Sequence, residues 1–255
     1  MFVSMWPTED FRGVLALAEK GLSDYAIARM TGVPRSTVQY WRRHPERVRE
    51  PLPPASPGWR PPDDEAYSYL LGLYLGDGHL TRLDRSPALV LTLDERYPGV
   101  IEEAARAVSL TVPGVHLGRY RCSTGAGVRL QACSGAWRYA FPQHGPGRKH
   151  TRAIELVDWQ RELTRRHARP LIRGLIHSDG CRTINRFSTT LPSGRVAQYE
   201  YPRYFFTNLS ADIRLIFCDH CELLGVRWTQ SNPRNISVSH RDSVSILDSF
   251  IGPKA

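Results

Sequence analysis

One ten-residue pattern occurs twice. YLLGLYLGDG ends in Asp77-Gly78 and LIRGLIHSDG ends in Asp179-Gly180, the two acids standing 102 residues apart (77 to 179). Self-similarity at a fixed offset signals one structural unit built twice, and the segments that follow each copy agree. In the first copy, strands are expected near 79–83, 88–94, 114–120 and 127–132, with helices near 99–109 and 135–142. In the second they are expected near 182–190, 198–207, 226–230 and 234–239, with helices near 211–224 and 241–251. Each motif run therefore opens an αββαββα series, as period-3.6 and period-2 stretches alternate. The expected fold class is α+β, with two pseudo-symmetric repeats over residues 63–160 and 161–255.

The motif runs say how the repeats meet. Each carries small residues four apart, Gly72 and Gly76 in the first, Gly174 and Ser178 in the second. That spacing puts both on one helix face and lets two backbones approach closely. Leu71, Leu73, Leu75, Leu171, Leu175 and Ile176 are the expected core around them. Gly78 and Gly180 suit the left-handed position after a helix end. An aspartate at a helix C-terminus faces partial negative charge, a cost of about 0.3–1 kcal/mol, and two such carboxylates brought together repel one another. Divalent cations between them relieve both problems.

With these residues in view, the pair of motifs resembles those of single-chain LAGLIDADG homing endonucleases, over residues 64 to 255. The resemblance implies that the motif helices form the interface of the two halves, that the sheets straddle double-stranded DNA as a saddle, and that the acids bind Mg²⁺ or Mn²⁺ and cut opposite strands. It assigns Asp77 and Asp179 as metal-binding catalytic acids, with Gly76 and Ser178 beside them in the metal site. It also implies a basic residue after the helix that follows the fourth strand. The chain has three lysines, Lys20, Lys149 and Lys254, and two of them stand there. Lys149 follows Ser134 by fifteen residues and Lys254 follows Ser239 by fifteen. A compact ammonium whose pKa shifts readily can polarise water or neutralise a scissile phosphate. Asp94 and Asn208, at the ends of the second strands, match the family place for a polar residue that orders metal-bound water, and both also suit helix capping.

Arginine pairs with guanine and Asn or Gln with adenine at base edges. The strand residues expected to meet DNA are Arg82, Arg85, Arg119, Arg121, Arg129, Arg182, Asn185, Arg186, Arg195, Gln198, Arg203, Gln230, Arg234 and Asn235.

Residues 1–50 read as a separate helix-turn-helix module. Thr8 and Ser23 are expected to cap helices, the first carrying Phe11, Val14, Leu15 and Ala18, the second Tyr25, Ile27, Ala28 and Met30. Gly32 makes a turn, and a third helix from Pro34 or Arg35 carries Val38 and Trp41. The segment GLSDYAIARMTGVPRSTVQYWRR resembles the DNA-binding domains of recombinases and transposases. Its last helix would offer Arg35, Ser36, Thr37, Gln39 and Arg43 to a major groove. The stretch 51–62, PLPPASPGWRPP, holds six prolines and reads as a semi-rigid linker.

Composition narrows the class. A net charge of +9 over 255 residues favours an anionic partner, nucleic acid first. No apolar run approaches the roughly 20 residues of a membrane span, and no signal peptide is evident, so a cytoplasmic protein is expected. Five cysteines, an odd number, argue against a disulfide framework. Cys218-Asp-His-Cys221 has metal-like spacing but lies within an expected helix without a partner pair, so a buried structural pair is the better reading. The sequence-based expectation is a site-specific double-strand DNA endonuclease, monomeric and dependent on divalent metal. The alternative is a DNA-binding transcription regulator that keeps the fold without cutting. An intein is disfavoured, since no terminal His-Asn is present.

Overall fold

The computed structural model describes residues 8–43, 45, 58–81, 86–123, 125–252 and 254. The chain divides into two compact units, Met1–Pro53 and Pro54–Ala255.

The first unit is three helices, α1 (Thr8–Glu19), α2 (Asp24–Thr31) and α3 (Arg35–Arg43). Ser23 caps α2 by accepting from Ala26 N at 3.3 Å, and Gly32 ends it in the left-handed region at φ 71°. Only glycine takes that conformation without strain. Phe11, Val14, Ile27, Val33, Val38 and Trp41 form the core, with the Phe11 and Trp41 rings 4.9 Å apart. Two residues expected on the apolar side of α2 are not there: Tyr25 is 66% and Met30 65% exposed. A helix of 8 residues has little more than two turns. Ile27 is its only fully buried residue, with Ala28 packed against the core beside it.

The second unit contains two copies of one arrangement. A central helix, α4 (Asp64–Gly76) or α8 (Ala168–Asp179), runs directly into a four-stranded antiparallel sheet. The first sheet has the order β1 (Gly78–Thr81), β2 (Ala88–Asp94), β4 (Gly127–Cys133), β3 (Leu117–Arg121). The second repeats it as β5 (Gly180–Thr190), β6 (Val196–Thr207), β8 (Asn235–Val238), β7 (Thr229–Asn232). The protein is thus α+β with two αββαββα halves. Helices α5 (Pro98–Thr111) and α9 (Ala211–Leu223) follow the second strand of each half. Helices α6 (Trp137–Ala140) and α10 (Arg241–Asp248) follow the fourth. In the first sheet, Leu89, Leu91, Leu93, Leu130 and Ala132 are buried on one face by alternation and register. In the second, Tyr204, Phe206, Ile236 and Val238 do the same, with Phe206 stacked on Phe217 of α9 at 4.4 Å.

Two differences from expectation have physical causes. The sequence does not announce α7 (Asp158–Arg166), because two of its three buried residues, Gln160 and Thr164, are polar. Gln160 is fully buried and donates to Tyr67 Oη at 2.6 Å, while Tyr67 donates to Ala140 O at 2.7 Å. Thr164, also buried, meets His220 Nε2 at 3.0 Å. Satisfied polar groups bury without leaving an apolar period. Secondly, Gly78 and Gly180 are not in the left-handed region; Gly180 is extended at φ −112°, ψ 169°. What excludes side chains is the strand's immediate departure from the helix. A Cβ at Gly78 would sit 2.5 Å from Tyr74 Cα, and one at Gly180 2.8 Å from Ile176 Cα. Residues 51–57 of the proline-rich stretch lie outside the described residues. The stretch ends packed on the second unit, Trp59 lying 6.2 Å from the rings of both Tyr67 and Trp159. No described helix is long and apolar enough to cross a membrane.

Candidate active site

The site begins with the contact between α4 and α8. A Cβ at Gly72 would lie 2.5 Å from Leu171 O and 2.7 Å from Leu175 N; one at Gly174 would lie 3.0 Å from Gly72 Cα. The backbones touch, so no side chain separates the two helices at these points. Leu71, Leu73, Leu75, Leu171, Leu175 and Ile176 are all buried around this seam. The two helices end at the same place, in Asp77 and Asp179. A Cβ on Gly76 would lie 3.0 Å from Asp179 Oδ2, so the acid of one half leans over the last turn of the other.

Burial acts on both acids, and the repulsion between them falls on Asp77. Desolvation first, and the Asp179 charge second, push the Asp77 carboxyl up to about 6, against partial relief from Lys149 and Lys254; among the described residues no hydrogen bond stabilises its charge. Asp179 is also raised by burial, but less freely, because Asn208 Nδ2 donates to its Oδ2 at 2.6 Å.

Lys149 and Lys254 converge on this point. Lys149 lies in the short 3-10 turn Lys149–Thr151 and donates to the carbonyls of Tyr74, Leu75 and Gly76, the last two at 3.0 Å. It thereby occupies the carbonyl end of α4, where positive charge is favoured. Burial lowers its pKa to about 8, opposed by Asp179 and Asp77. Lys254 donates to Gly180 O at 2.6 Å; burial lowers it, and Asp77 first among the charges holds it up. Each lysine is therefore held by the helix end or strand start of its own half.

Not every expected residue joins them. The Ser178 hydroxyl turns into its own helix, 3.0 Å from Gly174 O and Leu175 O, and the Gly76 carbonyl is taken by Lys149. Asp94 is held by Arg96, whose Nε lies 3.0 Å from Oδ2, whereas its counterpart Asn208 reaches Asp179. Neither caps a helix: Ser210 caps α9, and the position before α5 is Tyr97. Arg96 was not foreseen, although an arginine two residues after an aspartate is a readable turn partner.

Strand register sorts the basic residues by face. Thr92, Arg129 and Gln131 lie on the sheet face opposite α5. Arg119 and Arg121 share the other face with Leu130 and Val128, and Arg119 is paired with Glu102 of α5. In the second half Asn185, Arg203 and Asn235 share the outer face. Arg182 and Arg186 alternate to the side of Tyr204, Arg182 bonded to Asp248 of α10 at 2.8 Å and Arg186 to Glu200 at 3.0 Å. Gln198 and Gln230 share that inner register, while Arg195 and Arg234 stand at exposed turns. Arg82 and Arg85 lie outside the described residues. In the first unit Arg35, Ser36 and Arg43 are exposed on α3, and Thr37 and Gln39 are partly covered.

Cys218 and Cys221 are buried in α9, and the ring nitrogens of His220 are taken by Ile216 O and Thr164 Oγ1. Among the described residues no three His, Cys, Asp or Glu side chains form a metal-holding group.

Residues 11–49 match the family model described as a homeodomain-like domain. No curated protein matches the chain by sequence. Among solved structures, mesophilic variants of the homing endonuclease I-DmoI are similar at 16% identity, 74% of this chain and 97% of that chain, with TM-score 0.49. I-DmoI in complex with DNA and Ca is similar at 16% identity, 74% and 91% coverage, TM-score 0.45. Full-length DUF199/WhiA from Thermatoga maritima is similar at 12% identity, 77% and 58% coverage, TM-score 0.47. At such identities and TM-scores the fold assignment rests on the chain's own strand order and helix pairing.

Proposed function

We propose that the chain is a site-specific double-strand DNA endonuclease of the LAGLIDADG type, acting as a monomer through its two internal halves, with residues 1–50 as an auxiliary DNA-binding domain. One observation carries the reading: two desolvated aspartates from separate halves meet at a backbone-tight helix seam, each opposed by lysine charge. Folding places Asp77 where its charge is disfavoured, and a structural role for it would not require that. Perturbed carboxylates with specific charge partners mark functional sites.

Mg²⁺ fits this donor set, since it binds through one or two carboxylates and keeps waters and phosphate oxygens as its other ligands. Asp77 and Asp179 would hold it, and it would supply Lewis-acid polarisation of the scissile phosphate. The chain's own residues do the rest. Asn208 fixes one oxygen of Asp179, leaving that carboxylate one orientation. Lys149 and Lys254 place positive charge in a buried setting, where it acts on a phosphate more strongly than in water. The outer-face residues Arg129, Asn185, Arg203 and Asn235 would meet base edges, and the homeodomain-like helices would add affinity on adjoining DNA.

The match at residues 11–49 also suits a regulator that binds without cutting. The deciding experiment selects duplexes from a random library with the whole protein and then adds Mg²⁺ or Mn²⁺. Cutting of both strands is expected, with Asp77→Asn and Asp179→Asn each abolishing it or reducing it to nicking while binding in Ca²⁺ survives. Binding without cutting establishes the regulator. Unchanged double-strand cutting by both variants removes the two acids from the chemistry.

A further inference from the structure

The second half carries an extension that has no counterpart among the described residues of the first. Strands β5 and β6 pair from Gly180↔Phe206 to Thr190↔Val196, but β8 covers β6 only over Tyr204–Thr207. The remainder is a two-stranded ribbon with both faces open, whereas β1 and β2 pair over four residues. An aromatic residue on such a ribbon has no core to enter. Yet Phe187 and Tyr199 stand directly opposite one another, stacked at 5.1 Å and 15°, with Tyr201 edge-on to Phe187 at 6.1 Å. Phe187 remains 46% and Tyr199 42% exposed. Cross-strand stacking steadies the ribbon but leaves the outward side of both rings in water.

The neighbours on that face indicate what covers them. On the sheet side of the rings, Asn185 follows Phe187 opposite Tyr201, and Arg203 follows Tyr201 one step further on, held in place with its guanidinium 4.3 Å over the Phe205 ring and 2.5 Å from Ser237 Oγ. An apolar patch followed along the same face, toward the sheet, by an adenine-type and then a guanine-type reader, in a chain of net charge +9, is complementary to a duplex groove. The major groove admits a two-stranded ribbon, and its apolar feature is the thymine 5-methyl group.

We propose that Phe187 and Tyr199 form an apolar reader of thymine methyls, seated in the major groove at one end of the target only. This rests on the reading of the chain as a duplex-DNA binder. The test uses the wild-type protein and a duplex it selects from a random library. Selection returns thymine at a fixed offset on one flank. Replacing those thymines by uracil removes only the methyls and weakens binding about fourfold for each methyl covered. Uracil elsewhere in the site changes affinity little. In Phe187→Ser the uracil and thymine duplexes bind alike, and Phe187→Leu restores part of the difference. If the protein selects no duplex at all, the DNA-binding reading itself fails. If it binds tightly with no thymine preference on a flank, or with equal affinity for the uracil duplex, the methyl reader is refuted. Concentration-dependent dimerisation in sedimentation, lost in Phe187→Ser, also refutes it, because the rings then serve a second copy of the chain.

Discussion

Gly72→Ala tests the seam on which the site depends. The added methyl would lie 2.5 Å from Leu171 O, 2.7 Å from Leu175 N and 2.9 Å from the Gly174 carbonyl carbon. These are about 1 Å inside ordinary contact, and every one is backbone, so no rotamer change relieves them. The helices must part. Alanine gains about 1 kcal/mol over glycine in a helix interior. Overpacking of a tight interface costs about 1–3 kcal/mol, and separation of the seam leaves Leu71 and Leu175 imperfectly packed besides. A net loss of about 1–2 kcal/mol follows, which lowers the melting temperature by roughly 2–8 °C for a unit of this size. The effect on cleavage is larger, since a displacement of about 1 Å between reacting groups costs on the order of a hundredfold in rate. Gly13→Ala is the internal control. A Cβ there meets nothing within 4 Å, in the middle of α1, so it should stabilise its helix and leave cleavage unchanged. The assays are thermal unfolding by circular dichroism and single-turnover cleavage of the selected duplex. A Gly72→Ala protein as stable and as active as the wild type would refute the claim that backbone contact at this seam sets the site.

The Lys254 ammonium should act on one DNA strand, so Lys254→Met should slow that strand on the order of ten- to a thousandfold and Lys149→Met the other; equal slowing of both strands in end-labelled cleavage contradicts the assignment by half. A chain shortened to residues 58–255 should cut at raised concentration with a shallower dependence of binding on salt, because fewer phosphate contacts release fewer counterions; an unchanged salt slope removes the first unit from DNA. The raised Asp77 carboxyl makes the metal-free protein lose stability as pH climbs from about 4 to about 6, since folding pushes it up to about 6 from the ordinary aspartate value of about 3.9 and the unfolded chain releases that proton first. In Asp77→Asn that component of the pH dependence of urea midpoints should vanish, and its survival would place the proton elsewhere.

What the sequence determined by itself is local or repeated. The offset between Asp77 and Asp179 foretold two αββαββα halves, because an amphipathic period and a Gly-xxx-Gly face act over one helix. The two lysines were legible because lysine is scarce in this chain and recurs at one spacing. Ser23 and Gly32 were legible because caps act within a few residues. The rest depends on which surface lies opposite, and that is settled only when distant segments pack. Register sends Arg119 to Glu102 and Arg182 to Asp248 while leaving Arg129 and Arg203 on the outer faces, a division invisible along the strand because each arginine is one residue from the other face. Helix α7 stayed hidden because Gln160 and Thr164 are buried with hydrogen-bond partners, and only those partners, distant in sequence, make a polar residue a core residue. Gly78 and Gly180 are required by the crowding of a strand that leaves the last helical turn at once, a demand of three-dimensional space and not of backbone torsion.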